Sequence, residues 1–200
     1  DPLQCNELIT LKGISAAALV LMSVAAVCFI IFYTFKNGIS PMPSSWKAGK
    51  AVAELLAGEM ETGSIAELGS GWGTMLSKIT LRLPRCTITG YENSPVPFLF
   101  SRLLLCAMRR TQGRILFRNF YDTPLGSHDA VICYLYPGAM EKLRPKFEQE
   151  LMEGSIVISN TFAVPGWVPE KTVILNDLYR TPLYLYRVGN RHSSTISFTG

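Results

Sequence analysis

Residues 65–74 read IAELGSGWGT: an apolar run carries an acid, Glu67, into its end and then gives up side chains at Gly69, Gly71 and Gly73. A glycine inside a regular element costs about 0.5–1 kcal/mol, so such a cluster requires a special backbone path or something pressed against the backbone. The flanking pattern narrows the choice. SIAEL (64–68) reads as a strand and GTMLSKITLRL (73–83) as a helix. A strand, a glycine turn and a helix in that order bring backbone N–H groups and a helix N-terminus close to a ligand.

Working outward, strand and helix patterns alternate. CTITGYE (86–92) is a second predicted strand, PFLFSRLLLCAMRR (97–110) a long apolar helix, RILFRNF (114–120) a third strand and HDAVICYLY (128–136) a fourth. AMEKLRPKFEQELME (139–153) is a charged helix, GSIVISNTF (154–162) a fifth strand, and the apolar runs at 172–175 and 183–188 form an antiparallel closing pair. Upstream, WKAGKAVAELLAGEM (46–60) reads as an amphipathic helix with Trp46, Val52, Leu55 and Leu56 near helical spacing. Alternation of this kind predicts an α/β fold.

Ahead of this domain, residues 14–35 (ISAAALVLMSVAAVCFIIFYTF) carry no charge, Pro or Gly. At ~1.5 Å per residue this run reaches about 33 Å, enough for a bilayer core of roughly 30 Å and longer than a signal-peptide core. The expected organisation is a tail at 1–13, a transmembrane helix at 14–35, a Pro/Gly/Ser linker at 36–45 and one folded domain at 46–200. Lys36, Lys47 and Lys50 follow the run, while Lys12 precedes it with Asp1 and Glu7. That asymmetry predicts a single-pass membrane protein with its larger part on the cytoplasmic side.

The chain has 19 Lys+Arg and 15 Asp+Glu, a net charge of +4. Setting aside Lys12, Asp1 and Glu7 leaves 18 against 13, a surplus suited to a domain held near anionic lipid. With no basic stripe carrying interleaved aromatics, nucleic acid is not an expected partner. The five cysteines are widely spaced, with no CxxC pair and two histidines to join them, so they read as reduced and structural and no metal site is expected.

Glycine spacing then separates the possible ligands. A phosphate-cradling loop ends in GK[ST], whereas Gly73 is followed by Thr74 and Met75. A dinucleotide fingerprint runs G-x-G-x-x-G, whereas these glycines run G-x-G-x-G behind an acid. The pattern E-x-G-x-G-x-G after a strand resembles the first motif of the class I S-adenosylmethionine-dependent methyltransferases. The resemblance implies a Rossmann-like sheet of seven mostly parallel strands with helices on both faces, here preceded by one N-terminal transmembrane helix. It also implies S-adenosylmethionine as cofactor. Glu67 and the loop residues Gly69, Ser70, Gly71, Trp72 and Gly73 would then bind it, Glu92 and Asn93 at the second strand's end would take the ribose, and Asn119 or Asp122 the adenine. A carboxylate such as Glu92 accepts from two hydroxyls at once, which suits a ribose diol.

Three further stretches, SPMPSSWKAGKAVAELL, YLYPGAMEKLRPKFEQEL and ISNTFAVPGWVP, are similar to the small membrane-anchored protein-lysine methyltransferases related to those that modify mitochondrial carrier and ATP-synthase subunits, and to their prokaryotic relatives. This implies that Pro43, Ser44 and Ser45 lie over the cofactor's amino-acid end. It implies a protein lysine as substrate, possessed by a partner near the membrane. The fourth strand ends in CYLYP rather than in the D/N-P-P-Y of many amine-directed relatives. What remains there is Tyr134 and Tyr136, predicted on one side of the strand as an aromatic wall for an ammonium group, with Asn160 at the matching edge and Pro165-Gly166-Trp167 as a lip. No Ser/His/Asp set appears, and His128 reads as a loop residue. A small-molecule or lipid-like acceptor, and a non-catalytic cofactor-binding module, are the alternative readings.

Overall fold

The structure, a computed structural model, describes residues 16–25, 27–28, 32, 46–109 and 112–189. The chain divides into two units, Asp1–Pro41 and Met42–Gly200. In the first, residues 16–25 are helical. Much of the expected 14–35 span, and Pro43, Ser44 and Ser45, lie outside the described residues. Among the described residues no helix is long and apolar enough to cross a membrane.

In the second unit the elements run α1 (Trp46–Ala57), β1 (Gly63–Leu68), α2 (Thr74–Arg82), β2 (Cys86–Glu92), α3 (Pro95–Ala107), β3 (Gly113–Phe117), a single 3-10 turn (Phe120–Asp122), β4 (Ala130–Cys133), α4 (Pro137–Glu150), β5 (Ile156–Asn160), β6 (Lys171–Ile174) and β7 (Pro182–Arg187). They build one seven-stranded sheet in the order β3-β2-β1-β4-β5-β7-β6. β1 to β5 are mutually parallel; β7 runs antiparallel between β5 and β6. The alternating pattern's α/β fold is thus present, in the Rossmann-like seven-stranded form that the resemblance implied, with the closing pair at its far edge.

Because side chains alternate along a strand, the central strands feed two cores. Ile65, Ile88, Ala130, Ile132, Ile156 and Ile158 meet α1, α2 and the buried side of α3. Ala66, Leu68, Val131, Cys133 and Val157 meet α4 through Ala139, Met140, Leu143 and Phe147. Burial on both faces explains why these strands read as apolar runs rather than as alternating ones. The registers Leu68↔Tyr91, Leu68↔Cys133 and Cys133↔Ser159 align the carboxyl ends of β1, β2, β4 and β5 along one edge. Parallel α/β sheets bind ligands outside that edge.

Several element ends differ from expectation by a few residues, and three departures have an evident cause. α3 begins at Pro95, because proline at the first helical position lacks only an N–H that would be unpaired anyway. β4 ends at Cys133, so Tyr134 and Tyr136 stand beyond the strand and its alternation does not govern them. Trp46, predicted to face the core, is 71% exposed; the buried face of α1 consists of Ala48, Gly49, Val52, Ala53 and Leu56. Small residues there permit close approach to α2, where a side chain at Gly49 would meet Lys78.

Candidate functional site

The glycine loop leaves β1 and is gripped by β2. Tyr91 offers its carbonyl to the N–H groups of Gly69 (2.9 Å) and Ser70 (3.0 Å). Its neighbour Glu92, 6% exposed, accepts from Gly71 N–H at Oε2 and from Ser94 N–H at Oε1, both at 2.7 Å. One carboxylate thus ties the glycine loop to the start of α3, and each oxygen retains a further lone pair for a ligand hydroxyl. This anchoring role for Glu92 is not visible in the sequence.

All three loop glycines have φ values in the left-handed region, 72°, 52° and 72° at Gly69, Gly71 and Gly73. Their surroundings differ. A Cβ at Gly73 would stand 2.8 Å from Ser101 Cβ and 3.2 Å from its Cα, whereas one at Gly71 would meet nothing within 4 Å. Gly73 therefore serves helix packing, and Gly71 borders open space where a ligand can reach the backbone. Gly73→Ala should lower folding stability by about 2–4 kcal/mol, the sum of left-handed strain and overpacking. Gly71→Ala should lose only about 1–2 kcal/mol of stability but most cofactor affinity; urea melts with calorimetry check both.

Glu67 sits beneath this loop, 4% exposed, and its Oε2 has no partner among the described residues. Burial pushes its carboxyl up to about 8; the Glu92 charge adds to this, and hydrogen bonds from Ser70 and the Leu76 amide oppose it. Ser70 packs against Gly90, where a side chain would collide with the Ser70 hydroxyl. Trp72 stands edge-on to Phe100 with centroids 5.2 Å apart. Asn93 is half-buried next to Glu92.

Along the same edge, Asn119 caps the 3-10 turn. Its Oδ1 accepts from Tyr121 N–H (3.2 Å) and its Nδ2 donates to Asp122 Oδ2 (2.9 Å). The two residues offered as alternatives for adenine are thus hydrogen-bonded to each other. Tyr134 is half-buried, and Tyr136, also half-buried, packs against the α4-side core as the residue preceding α4. Tyr136 neighbours Tyr121, whose phenol is pushed up to about 12 by burial and by that neighbour. Tyr121 and Phe120, with rings 4.5 Å apart, extend the aromatic wall. Sequence reading missed both, although the NFYD run after the third strand was the available signal.

Asn160 is 2% exposed at the end of β5, its Oδ1 accepting from Thr161 Oγ1 at 3.2 Å. Thr161 has φ 73°, a strained setting for a β-branched residue, held by Thr161 N–H on the Pro182 carbonyl and by the Ser159 hydroxyl on the Phe162 carbonyl. Such strain occurs where surrounding structure fixes a functional turn. Thr161→Gly should raise stability by about 1–3 kcal/mol in thermal melts and lower turnover. Trp167, expected as part of a lip, is held in place: its Nε1 donates to Glu148 (3.0 Å) and its ring packs on Phe147 and Tyr186. His128 is a loop residue but buried, with Nδ1 2.8 Å from Ser64 Oγ and Nε2 3.0 Å from Tyr91 Oη.

Comparison with known proteins agrees with this geometry. The profile of the ANTKMT methyltransferase domain matches residues 67–171, just over half of the 200 residues. A protein-lysine N-methyltransferase of Saccharolobus islandicus is 32% identical over 79 residues, 39% of this chain and 49% of that protein. The human ATP synthase C-subunit lysine N-methyltransferase is 25% identical over 163 residues, 80% of this chain and 67% of that protein. The chain thus spans about half the length of the first relative and about two thirds of the second. Among solved structures, an RNA methyltransferase of Salinibacter ruber in complex with S-adenosyl-L-homocysteine superposes with a TM-score of 0.65 at 24% identity, covering 74% of this chain and 94% of that one. A precorrin-6y C5,15-methyltransferase of Geobacter metallireducens gives 0.52 at 15% identity, covering 68% and 84%. Both share the fold. From the domain match, which opens at Glu67 and takes in the glycine loop, the chain belongs to the ANTKMT methyltransferase domain family, within the class I S-adenosylmethionine-dependent methyltransferases.

Proposed function

We propose that this chain is a protein-lysine N-methyltransferase using S-adenosylmethionine, held at a membrane by residues 14–35 with the domain at 46–200 on the cytoplasmic side. The observation that carries the cofactor reading is the pair of buried carboxyls, Glu67 with an unpartnered oxygen and Glu92, beside the open Cβ position of Gly71. These residues fit a cofactor that brings positive charge and a ribose diol, and no phosphate-binding Lys follows the glycines. The lysine N-methyltransferases of Saccharolobus islandicus and human, to which the chain is similar, support lysine as acceptor. The uncharged length of residues 14–35 supports the anchor.

Bound S-adenosylmethionine would supply a methyl group already activated by a sulfonium. The residues of this chain then have to position a neutral nucleophile, which is chiefly a matter of alignment. Tyr121, Tyr134 and Tyr136, beyond the carboxyl ends of β3 and β4, can hold a lysine ammonium through their ring faces. Apolar walls favour loss of its proton, because burial disfavours the charged amine. Tyr121, with its raised pKa, stays a phenol at neutral pH and so donates a hydrogen bond rather than accepting the proton.

The test is to incubate the full chain with methyl-labelled S-adenosylmethionine and a membrane extract and to locate the label by mass spectrometry. Label on a protein lysine is expected. Label on a lipid or small molecule would replace the acceptor, and cofactor binding without transfer would indicate a non-catalytic module. Calorimetry showing no S-adenosylmethionine binding, or tighter NADH binding, would sink the methyltransferase assignment itself.

A further inference from the structure

Helix α3 is inside out. Its buried side consists of Pro97, Ser101 and Leu105, while Leu99, Phe100 and Leu103 are 60%, 49% and 62% exposed. At helical spacing, Val96, Leu99, Phe100, Leu103 and Ala107 fall within an arc of about 100°, the width of an ordinary core-facing stripe, yet opposite the buried residues. A contiguous apolar face of this kind marks an interaction site.

Charge identifies its occupant. Residues 93–121 contain five arginines, at 102, 109, 110, 114 and 118, and no Asp or Glu. Arg102, Arg109, Arg114 and Arg118 are exposed, and none forms an ion pair with another described residue. Arg102 flanks the apolar stripe on one side by helical spacing, and Arg109 follows the end of the helix, where its φ of 53° turns the chain away. An apolar ridge with an arginine rim and no acid matches the boundary between acyl chains and anionic headgroups, where guanidinium groups pair with phosphates. A second copy is a poor occupant, since a two-fold contact would set arginines against arginines.

We propose that the outer face of α3 docks on an anionic lipid bilayer. This contact is separate from the N-terminal run and does not rest on its being an anchor. Trp72 lies against Phe100, so docking would also hold the glycine loop next to the surface.

Cys106, exposed on α3, provides the probe. The full chain, with Cys5 and Cys28 replaced by serine and a nitroxide on Cys106, is placed in nanodiscs of phosphatidylglycerol or of phosphatidylcholine. Collision of the nitroxide with a water-soluble nickel chelate is expected to fall about tenfold in phosphatidylglycerol and little in phosphatidylcholine. Leu99→Glu with Leu103→Glu should abolish the fall, and Arg102→Gln with Arg109→Gln should abolish the lipid preference while leaving the thermal midpoint unchanged. Equal accessibility in both lipids would overturn the proposal. So would shielding in detergent that grows with protein concentration, which would assign the face to a contact between copies.

Discussion

Glu92→Ala should reduce S-adenosylmethionine affinity by at least about a hundredfold, together with a lower thermal midpoint. The carboxylate receives Gly71 N–H and Ser94 N–H at 2.7 Å each, and hydrogen bonds to a charged group are worth about 1.5–3 kcal/mol apiece. Its loss frees the loop and the start of α3, and removes the acceptor for a ribose diol. Glu92→Gln separates the two effects, since an amide can serve one backbone donor but not both. Tyr136→Phe, which deletes a hydroxyl in the aromatic wall, should leave cofactor affinity nearly intact and lower turnover. If calorimetry ranks the two positions the other way, the ribose site lies elsewhere.

Glu67 should make both stability and cofactor binding depend on pH. Its carboxyl is pushed from 4.5 in the unfolded chain up to about 8 in the fold, so between these values the folded state binds the additional proton. Stability is therefore fully present below about 4.5 and is lost as pH rises through about 8, by a few kcal/mol at about 1.4 kcal/mol per unit. Glu67→Gln removes the ionisation and should flatten that decline. A cation arriving beside Glu67 lowers its pKa, so binding of S-adenosylmethionine below pH 8 should release up to one proton. Calorimetry in two buffers of different ionisation enthalpy counts it. A pH-independent midpoint in the wild type, or equal proton release in Glu67→Gln, would remove Glu67 from the site.

What could be read ahead of the structure depended on how local its cause was. The β2 boundaries, Cys86–Glu92, agree with the sequence reading, because Thr87, Ile88, Thr89 and Tyr91 are β-branched or aromatic residues that favour strand, and they follow Pro84. The glycine loop was legible for the same reason: left-handed φ values at 69, 71 and 73 are a demand that glycine alone meets easily. Failures came where a neighbour distant in sequence decides. Trp46 fits a core stripe by spacing, yet Ala48, Gly49 and Ala53 supply the contact that α2 admits. What holds Trp167 was equally hidden, since nothing local reveals Glu148 and Phe147 as its partners. The outward face of α3 escaped notice because an apolar helical stripe is normally taken to point inward, and composition cannot say which way it turns.

The grip of Tyr91 and Glu92 on the glycine loop also orders events during folding. The motif lies between β1 and α2, but the groups that shape it, the Tyr91 carbonyl and the Glu92 carboxylate, are about twenty residues further on. A nascent chain that has emerged only through Gly73 carries the complete motif and none of its shape. The seat comes into being when β2 pairs with β1, and any opening that peels β2 away dissolves it again.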